Sequence, residues 1–275
     1  KGNYHCGLEN YEFRFKKKNS TATHGNSKLK RIKNKKLNKG EKILVVGEQG
    51  LGDTIQYMRY IPYLRSKGID VSFCPQEKLH DLIRASGIDP NPLTKDQANK
   101  ITEGQWIPLL SLPGYLGVTP QNPIVTKPYV RPSNDLILKW KSILSKEKRP
   151  IIGLNWQGNK GMEKIHYRGR SFSLEICSKL LTGTNGCFLS LQKGFGSEQL
   201  KNCSFRNYFV NSQNEIDKIW SFHEMSAIIA NCDLIITCDT SIAHLAGGMG
   251  KKVWLLLRDV PFWTWGMNTS CTFWY

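Results

Sequence analysis

Three short segments of this 275-residue chain carry residues that could bind an anion or transfer a proton, and each follows an apolar run. The first comprises Gly50, Leu51, Gly52, Asp53 and Thr54. Two glycines allow a tight turn, and the backbone amides at the start of the next helix suit an anion. Asp53 either caps this helix or acts as a general base. Because Ile55 stands where the dinucleotide fingerprint needs its third glycine, a nicotinamide-dependent dehydrogenase is disfavoured.

The second segment combines amide and basic side chains after the apolar run at 151–154. It begins with Asn155 and Gln157, and a loop follows that holds Lys160, Lys164, Arg168, Arg170 and then Ser171. Ammonium and guanidinium groups bind phosphate through charge-assisted hydrogen bonds, so the loop is either a diphosphate site or a solvated basic loop. Lys193, after a further apolar run, is a weaker candidate for the same role.

The third segment is Asp239, Thr240 and Ser241, with His244 one helical turn further on. Here the pattern predicts the end of a strand and the start of a helix, whose open amides and two hydroxyls form a phosphate cradle. Asp239 either binds a sugar hydroxyl or caps the helix. His244 is either a ligand contact or a packed helix residue.

The sequence holds no motif for a metal ion, since both a His-Glu-x-x-His pattern and an Asp-x-Asp triplet are missing. A mechanism without a metal would stabilise a leaving phosphate with basic side chains and helix N-termini. The eight cysteines include no Cys-x-x-Cys pair and are expected to be reduced thiols. Without an apolar run of about 18 residues, we expect a cytoplasmic protein, with or without peripheral attachment to the inner face of a membrane.

From residue 41 onward, short apolar runs alternate with helical patterns, which predicts two doubly wound α/β domains with parallel sheets. Ligands of such sheets bind at the carboxyl ends of the strands, where the three segments lie. Prolines between about 120 and 150 predict the connection between the domains, giving limits of 41–148 and 149–275. The predicted strands are 42–48, 71–74, 151–155, 187–192, 207–211, 233–237 and 252–257. The predicted helices are 53–67, 77–86, 134–145, 173–181, 223–230 and 241–248.

The formal charge of +17 is concentrated near the start of the chain, where residues 1–42 hold 13 of the 39 Lys and Arg residues and three acidic residues. Tyr4, Leu8, Tyr11 and Phe15 recur at helical spacing, so residues 1–18 are predicted to form a helix whose apolar face needs a partner. Residues 19–40 are predicted to be a basic linker. Nucleic-acid binding by this linker is disfavoured, because the aromatic residues that stack on bases stop at Phe15.

Five motifs in order resemble the glycosyltransferase family 9 (heptosyltransferase-like) domain, in the form found at the C-terminus of bacterial tetratricopeptide-repeat proteins. The resemblance spans about residues 41–265, and residues 2–14 resemble the closing helix of such a repeat. The motifs are Glu48-Gln-Gly-Leu-Gly-Asp-Thr-Ile-Gln56, Gly153-Leu-Asn-Trp-Gln-Gly-Asn159, Arg168-Gly-Arg-Ser171, Ser190-Leu-Gln-Lys-Gly194 and Asp239-Thr-Ser-Ile-Ala-His-Leu-Ala-Gly247.

This resemblance implies a GT-B fold, in which two Rossmann-like domains face each other across a cleft. It implies transfer of a sugar from a nucleotide-diphosphate donor, with inversion and without a metal or other cofactor. Asp53 matches the catalytic base in the domain at 41–148, which takes the acceptor, and Arg170 lies near the family's basic phosphate contact. Asp239, Thr240 and His244 match the donor-binding stretch in the domain at 149–275.

A second hypothesis is a non-catalytic module that binds a nucleotide or nucleotide sugar, attached to repeats that recruit a protein partner. The sequence names neither the donor sugar nor the acceptor, which could be a glycan, a lipid-linked molecule or a protein.

Overall fold

The computed structural model describes residues 3–17, 22–25, 27–33, 35–48, 50–165, 169–183, 185–267 and 269–275. Two compact units divide the chain. Unit 1 comprises Lys1–Tyr129 with Trp274, and unit 2 comprises Val130–Phe273 with Tyr275. The division falls within the proline-rich stretch, but earlier than residue 148, so the helix at 134–143 packs in unit 2.

Unit 1 is built on a four-stranded sheet in the order β1-β4-β2-β3, with every neighbouring pair parallel. Its strands are β1 (Lys30–Arg31), β2 (Lys42–Val46), β3 (Asp70–Cys74) and β4 (Gln105–Pro108). Its α-helices are α1 (Tyr4–Tyr11), α2 (Leu51–Tyr57), α3 (Tyr60–Ser66), α4 (His80–Ala85), α5 (Lys95–Asn99) and α6 (Leu112–Leu116). Its 3-10 helices are Glu12–Lys16, Glu77–Leu79 and Leu109–Ser111.

Unit 2 repeats this architecture with a parallel sheet in the order β6-β5-β7-β8. Its strands are β5 (Ile151–Asn155), β6 (Cys187–Ser190), β7 (Leu234–Cys238) and β8 (Val253–Leu256). Its α-helices are α7 (Asn134–Ile143), α8 (Lys160–Ile165), α9 (Gln199–Asn202), α10 (Gln213–Asp217), α11 (Phe222–Ala230) and α12 (Ser241–Gly248). Its 3-10 helices are Leu144–Lys146, Leu174–Gly183, Arg206–Tyr208 and Trp263–Trp265.

The central strands form because their apolar runs are buried on both faces, as parallel sheets require. Four of the five residues of β2 and all five of β5 are buried. The α/β class with parallel sheets is therefore confirmed. Among the described residues, no helix is both long and apolar enough to cross a membrane. The eight cysteines are free thiols.

Three predicted elements differ from the structure in more than their bounds. The single helix predicted over 53–67 is two helices, because α2 ends at Tyr57 and α3 begins at Tyr60, which places Pro62 in the first turn of α3, where no intrahelical donor is needed. The strand predicted over 207–211 is a 3-10 turn followed by one bridge from Phe209 to Phe188. The segment 173–181 lies in a 3-10 helix rather than an α-helix.

The N-terminal segment packs on unit 1. Leu8 of α1 is buried and contacts Gly114 of α6, so the apolar face of this helix has its partner within unit 1. Part of the predicted linker is also structured. β1 pairs with β4, and the Ile32 amide donates to the Trp106 carbonyl at 2.9 Å. Residues 29–32 therefore belong to the sheet and core of unit 1.

Candidate functional site

The turn after β2 positions Asp53 in the first turn of α2. Gly50 precedes the helix with φ +90°, a backbone conformation that side chains with a Cβ rarely adopt. A Cβ at Gly50 would also collide with the Asp53 carboxylate, so the carboxylate lies directly against this glycine. The N-cap is Gly50 rather than Asp53, and Gly52 lies inside the helix. The N-cap interpretation of Asp53 is therefore wrong, and its role as a base stays a prediction.

Thr54 and Gln56 lie on the buried side of α2. Both side chains are fully buried, and the Thr54 hydroxyl donates to Gln76 Oε1 at 2.7 Å. The Gln56 amide has no hydrogen-bond partner for either its nitrogen or its oxygen among the described residues. These two predicted binding residues thus face the interior of unit 1.

A pocket of about 660 Å³ opens beside the Asp53-bearing turn. Gly50 and Leu51 form part of its wall, and His24, Lys78 and Lys95 line it with one acid, Glu77. His24 reaches this position because its amide donates to the Gly47 carbonyl at 2.9 Å. A residue of the predicted linker therefore contributes to a concave surface next to the candidate base.

In unit 2, one glutamine joins the carboxyl ends of neighbouring strands. The Gln192 side-chain oxygen accepts hydrogen bonds from Asn155 Nδ2 at 2.8 Å and from the Gln157 amide at 2.9 Å. Its nitrogen donates to the carbonyls of Gln157 and Phe195 at 3.1 and 2.8 Å. Gln192 thus fixes the loop after β5 against the loop after β6.

Asn155 connects this network to the start of α12. Its Oδ1 accepts hydrogen bonds from the hydroxyls of Thr237 at 3.1 Å and Thr240 at 2.7 Å. Thr240 is the N-cap of α12, and Ser241 is the first helical residue. The Ile242 amide, one of those predicted to be open, donates to the Thr240 hydroxyl at 3.4 Å, and anion binding at this helix start stays a prediction.

Arg170 packs on the loop after β5. A Cβ at Gly158 would collide with its guanidinium group, so the guanidinium lies against the Gly158 backbone. The Ser171 hydroxyl accepts from the Gly158 amide at 2.9 Å and donates to Glu163, whose carboxylate is 3.6 Å from Arg170 Nε. Arg170 and Ser171 are therefore folded against the loop directly after β5. Arg168 lies outside the described residues.

Asp239 precedes the N-cap residue Thr240, so the capping interpretation of Asp239 is wrong, and its role in binding a sugar hydroxyl stays a prediction. Burial raises the pKa of the Asp239 carboxyl, although the Trp265 indole and the charges of Arg170 and Arg258 act in the opposite direction. His244 is buried one turn into α12, with its ring stacked on Trp265 at a centroid distance of 4.9 Å. Its Nδ1 lies 2.7 Å from the Tyr275 hydroxyl.

Lys193 is held within the fold. Its ammonium group donates to the Ile216 carbonyl at 2.5 Å, and burial lowers the pKa of Lys193 to about 8. Part of the hydrogen-bonding capacity of this predicted phosphate ligand is therefore already used.

The depressed pKa of Lys193 predicts a dependence of stability on pH. Between about pH 8 and pH 10.5 the unfolded chain binds more protons at this residue than the folded chain, so the free energy of unfolding rises with pH. We expect a rise of at most about 1–2 kcal/mol, because solvent screens a partly exposed group. Urea unfolding near pH 7.5 and pH 10 should show that Lys193→Met loses this rise, whereas Lys201→Met, at an exposed lysine, retains it. A rise of equal size in both variants would contradict the assignment.

Sequence reasoning missed Gln76, Gln192 and the pair of Arg14 with Glu48. Gln192 and Glu48 lie inside motifs on which the resemblance rests, but the sequence does not indicate their supporting roles. Arg14 gave no signal beyond its charge. Its guanidinium reaches the buried Glu48 carboxylate, with Nε 2.9 Å from Oε1.

Comparisons with known proteins show what the fold resembles. No family model matches the chain, and no curated protein matches it significantly. A glycosyl transferase family 9 structure from Veillonella parvula DSM 2008 aligns at 12% identity with a TM-score of 0.56, covering 80% of this chain and 81% of that chain. E. coli heptosyltransferase WaaC with ADP aligns at 9% identity with a TM-score of 0.50, covering 80% and 88%.

A third structure is the dodecameric, iron-containing heptosyltransferase TibC of enterotoxigenic E. coli, in complex with ADP-D-beta-D-heptose. It aligns at 13% identity with a TM-score of 0.51, covering 81% of this chain and 59% of that chain. In the part of this chain that the structure describes, no group of three or more His, Cys, Asp or Glu side chains could hold a metal ion. At these identities the likeness is one of fold, and the chain has the GT-B fold of glycosyltransferases that the motifs predicted.

Proposed function

We propose that this protein is a glycosyltransferase that transfers a sugar from a nucleotide-diphosphate sugar to a hydroxyl acceptor, with inversion and without a metal. The observation that carries the proposal is in unit 2, where the Arg170 guanidinium lies against Gly158 in the loop after β5 and its charge acts on the carboxyl of Asp239, which precedes α12. A guanidinium group and a helix start that both follow strands of one parallel sheet suit a diphosphate. The GT-B fold of the similar structures is consistent with this use.

Unit 2 is proposed to bind the donor. Arg170 and the amides at Thr240 and Ser241 hold the phosphates and stabilise the charge that develops on the leaving diphosphate. Asp239 accepts a hydrogen bond from a sugar hydroxyl. His244, buried between Trp265 and Tyr275, supports the helix start behind the phosphates.

Unit 1 is proposed to bind and activate the acceptor. Asp53 takes the proton from the acceptor hydroxyl while that oxygen forms a bond to the anomeric carbon of the sugar. The bond from this carbon to the phosphate oxygen breaks, and its electrons leave with the nucleoside diphosphate. The pocket lined by His24, Lys78 and Lys95 also contacts Gly50 and Leu51 of the turn that carries Asp53, and it is the proposed acceptor surface.

Two experiments test the proposal. Thermal-shift measurements with UDP, GDP and ADP should show that at least one raises the melting temperature, because a bound ligand stabilises the folded state by mass action. The corresponding nucleotide sugars are then assayed for release of the diphosphate. Nucleotide binding without release or transfer would favour the non-catalytic module, with upstream repeats as its partner-binding part. No stabilisation by any diphosphate would contradict both hypotheses.

Arg170→Ala is expected to weaken nucleoside diphosphate binding by about 10- to 100-fold, because a hydrogen bond to a charged group contributes about 1.5–3 kcal/mol. Isothermal titration calorimetry measures the change. Arg149→Ala is the matched control, since Arg149 precedes β5 at the opposite end of the strand and pairs with Asp233 at 2.8 Å. Equal losses in the two variants would remove Arg170 from the site.

A further inference from the structure

We propose that Gln76 and the Arg14–Glu48 pair are positioning residues that hold the Asp53-bearing turn, so that the N-terminal segment is part of the catalytic machinery. This inference rests on the proposed function, because it treats Asp53 as the base. Arg14 lies behind the turn and acts through Glu48, whereas Gln76 holds the backbone of the turn and also lines the pocket beside it.

Gln76 bridges the two sides of the turn with a single amide. Its Nε2 donates to the Glu48 carbonyl at 2.7 Å and to the Gly50 carbonyl at 3.3 Å. Its Oε1 accepts from the Thr54 hydroxyl at 2.7 Å. The end of β2 and the first turn of α2 are therefore held at a fixed separation, with Asp53 between the points of attachment.

The Glu48 side chain anchors the same turn from within the fold. Its carboxylate is fully buried and accepts from Arg14 Nε at 2.9 Å, Arg14 Nη2 at 3.1 Å and the Leu110 amide at 3.0 Å. A buried carboxylate is tolerated only when it is paired and hydrogen-bonded. The position of Glu48 is thus fixed by three donors, and only Arg14 carries a charge.

Arg14 is itself rigidly placed. Its guanidinium carbon lies 4.4 Å from the ring centroid of Tyr11 and 4.3 Å from that of Phe15. Its Nη1 donates to Glu12, and its Nη2 donates to the Ser111 hydroxyl as well as to Glu48, the first two bonds each at 2.8 Å. Hydrogen bonds and the charge of Glu48 raise the pKa of Arg14 even though burial lowers it. Arg14, in the 3-10 helix Glu12–Lys16, therefore holds a fixed positive charge against the buried Glu48 carboxylate.

A general base loses most of its effect when it is misplaced by a fraction of its hydrogen-bond length, since productive geometry tolerates little deviation. Gly50 has a positive φ, and glycine populates positive and negative φ about equally. Local preference alone therefore does not fix the shape of this turn. Gln76 and Glu48 supply the missing restraint from two directions. Gln76 itself lies in the loop after β3, and Arg14, the charged partner of Glu48, lies in the N-terminal segment.

The test uses the full chain with three variants: Gln76→Leu, Arg14→Lys and Arg65→Lys. Arg65→Lys is the matched control, because Arg65 also pairs with an acid in unit 1, Asp89, at 2.9 Å. Hydrogen-exchange mass spectrometry follows the amides of residues 50–57. We expect Gln76→Leu and Arg14→Lys to accelerate exchange there by about tenfold, because local opening becomes easier. The control should leave this exchange unchanged.

Kinetics with the nucleotide sugar that the wild type uses complete the test. We expect kcat to fall by about 10- to 100-fold in Gln76→Leu and Arg14→Lys, with nucleoside diphosphate affinity within about twofold of the wild type. Gln76 also lines the pocket beside the turn, so the Arg14 variant separates positioning from direct contact. Unchanged exchange or unchanged kcat in folded Arg14→Lys, with an active wild type, overturns this inference alone. An inactive wild type overturns the proposed function.

Discussion

Replacing Asp53 by asparagine is expected to lower the rate of sugar transfer by about 10²- to 10⁴-fold, which is the usual contribution of a general base. Asparagine keeps the shape of the side chain against Gly50 but cannot accept the proton of the acceptor hydroxyl. Nucleoside diphosphate affinity should stay unchanged, because the residues proposed to hold the phosphates are in unit 2. Steady-state kinetics and titration calorimetry measure the two quantities.

Asp70→Asn supplies the control for this substitution. Asp70 is an exposed aspartate at the amino end of β3, whereas Asp53 follows the carboxyl end of β2. The control should retain the wild-type rate. Turnover of Asp53→Asn at the wild-type rate would contradict the assignment of Asp53 as the base. It would not bear on the nucleotide site proposed in unit 2.

The largest expected effect on stability comes from Arg14→Met. Removing this partner leaves the Glu48 carboxylate buried without a compensating charge, which typically costs about 3–5 kcal/mol. We expect the free energy of unfolding of unit 1 to fall by this amount. Urea denaturation measures the change. Adding Glu48→Gln should restore part of the stability, because the double variant no longer buries a charge.

Arg84→Met tests whether the effect belongs to the buried pair. Arg84 pairs with Asp81 at 3.0 Å on the surface of unit 1, where an exposed ion pair contributes about 0–1 kcal/mol. Equal losses of unfolding free energy in Arg14→Met and Arg84→Met would mean that the charge of Arg14 does little to stabilise the buried Glu48 carboxylate.

The strands and helices with strong local patterns could be predicted from the sequence. The predicted bounds of β5 and α12 agree with the structure, since a continuous apolar run and a threonine N-cap mark them locally. The strand predicted at 207–211 failed for a non-local reason. Phe209 packs against Phe188 and Phe205 in an aromatic cluster, and this packing decides its backbone conformation.

The position of the described part of the predicted linker, residues 19–40, could not be predicted in this way. Its composition is polar and lysine-rich, and its strand has only two residues, so local periodicity carries no signal. What orders it is pairing with β4, which lies far along the chain, together with the burial of Ile32. Contacts of this kind are set by the tertiary fold rather than by propensity.

The residues of the candidate site also differ in how far the sequence alone indicates them. Asp53 and Thr240 could be proposed because they follow strands, and a parallel sheet brings ligand-binding groups to the carboxyl ends of its strands. Arg170 was proposed from the charge of its loop, and the roles of all three stay predictions. The supporting residues Gln76 and Gln192 could not, because a glutamine has no preferred place in such a pattern. Its role depends on which backbone groups lie within reach of its amide.

The two-residue strand β1 also has a consequence for self-association. In unit 1 it covers the edge of β4, and it is short, with Lys30 exposed and Arg31 paired with Glu12, which is the form of edge that discourages pairing between sheets of different molecules. A protein shortened to begin at residue 41 would expose the backbone of β4 to such pairing. Aggregation, rather than reduced turnover alone, is therefore the expected liability of trimming the chain to the domain limit that its sequence pattern indicates.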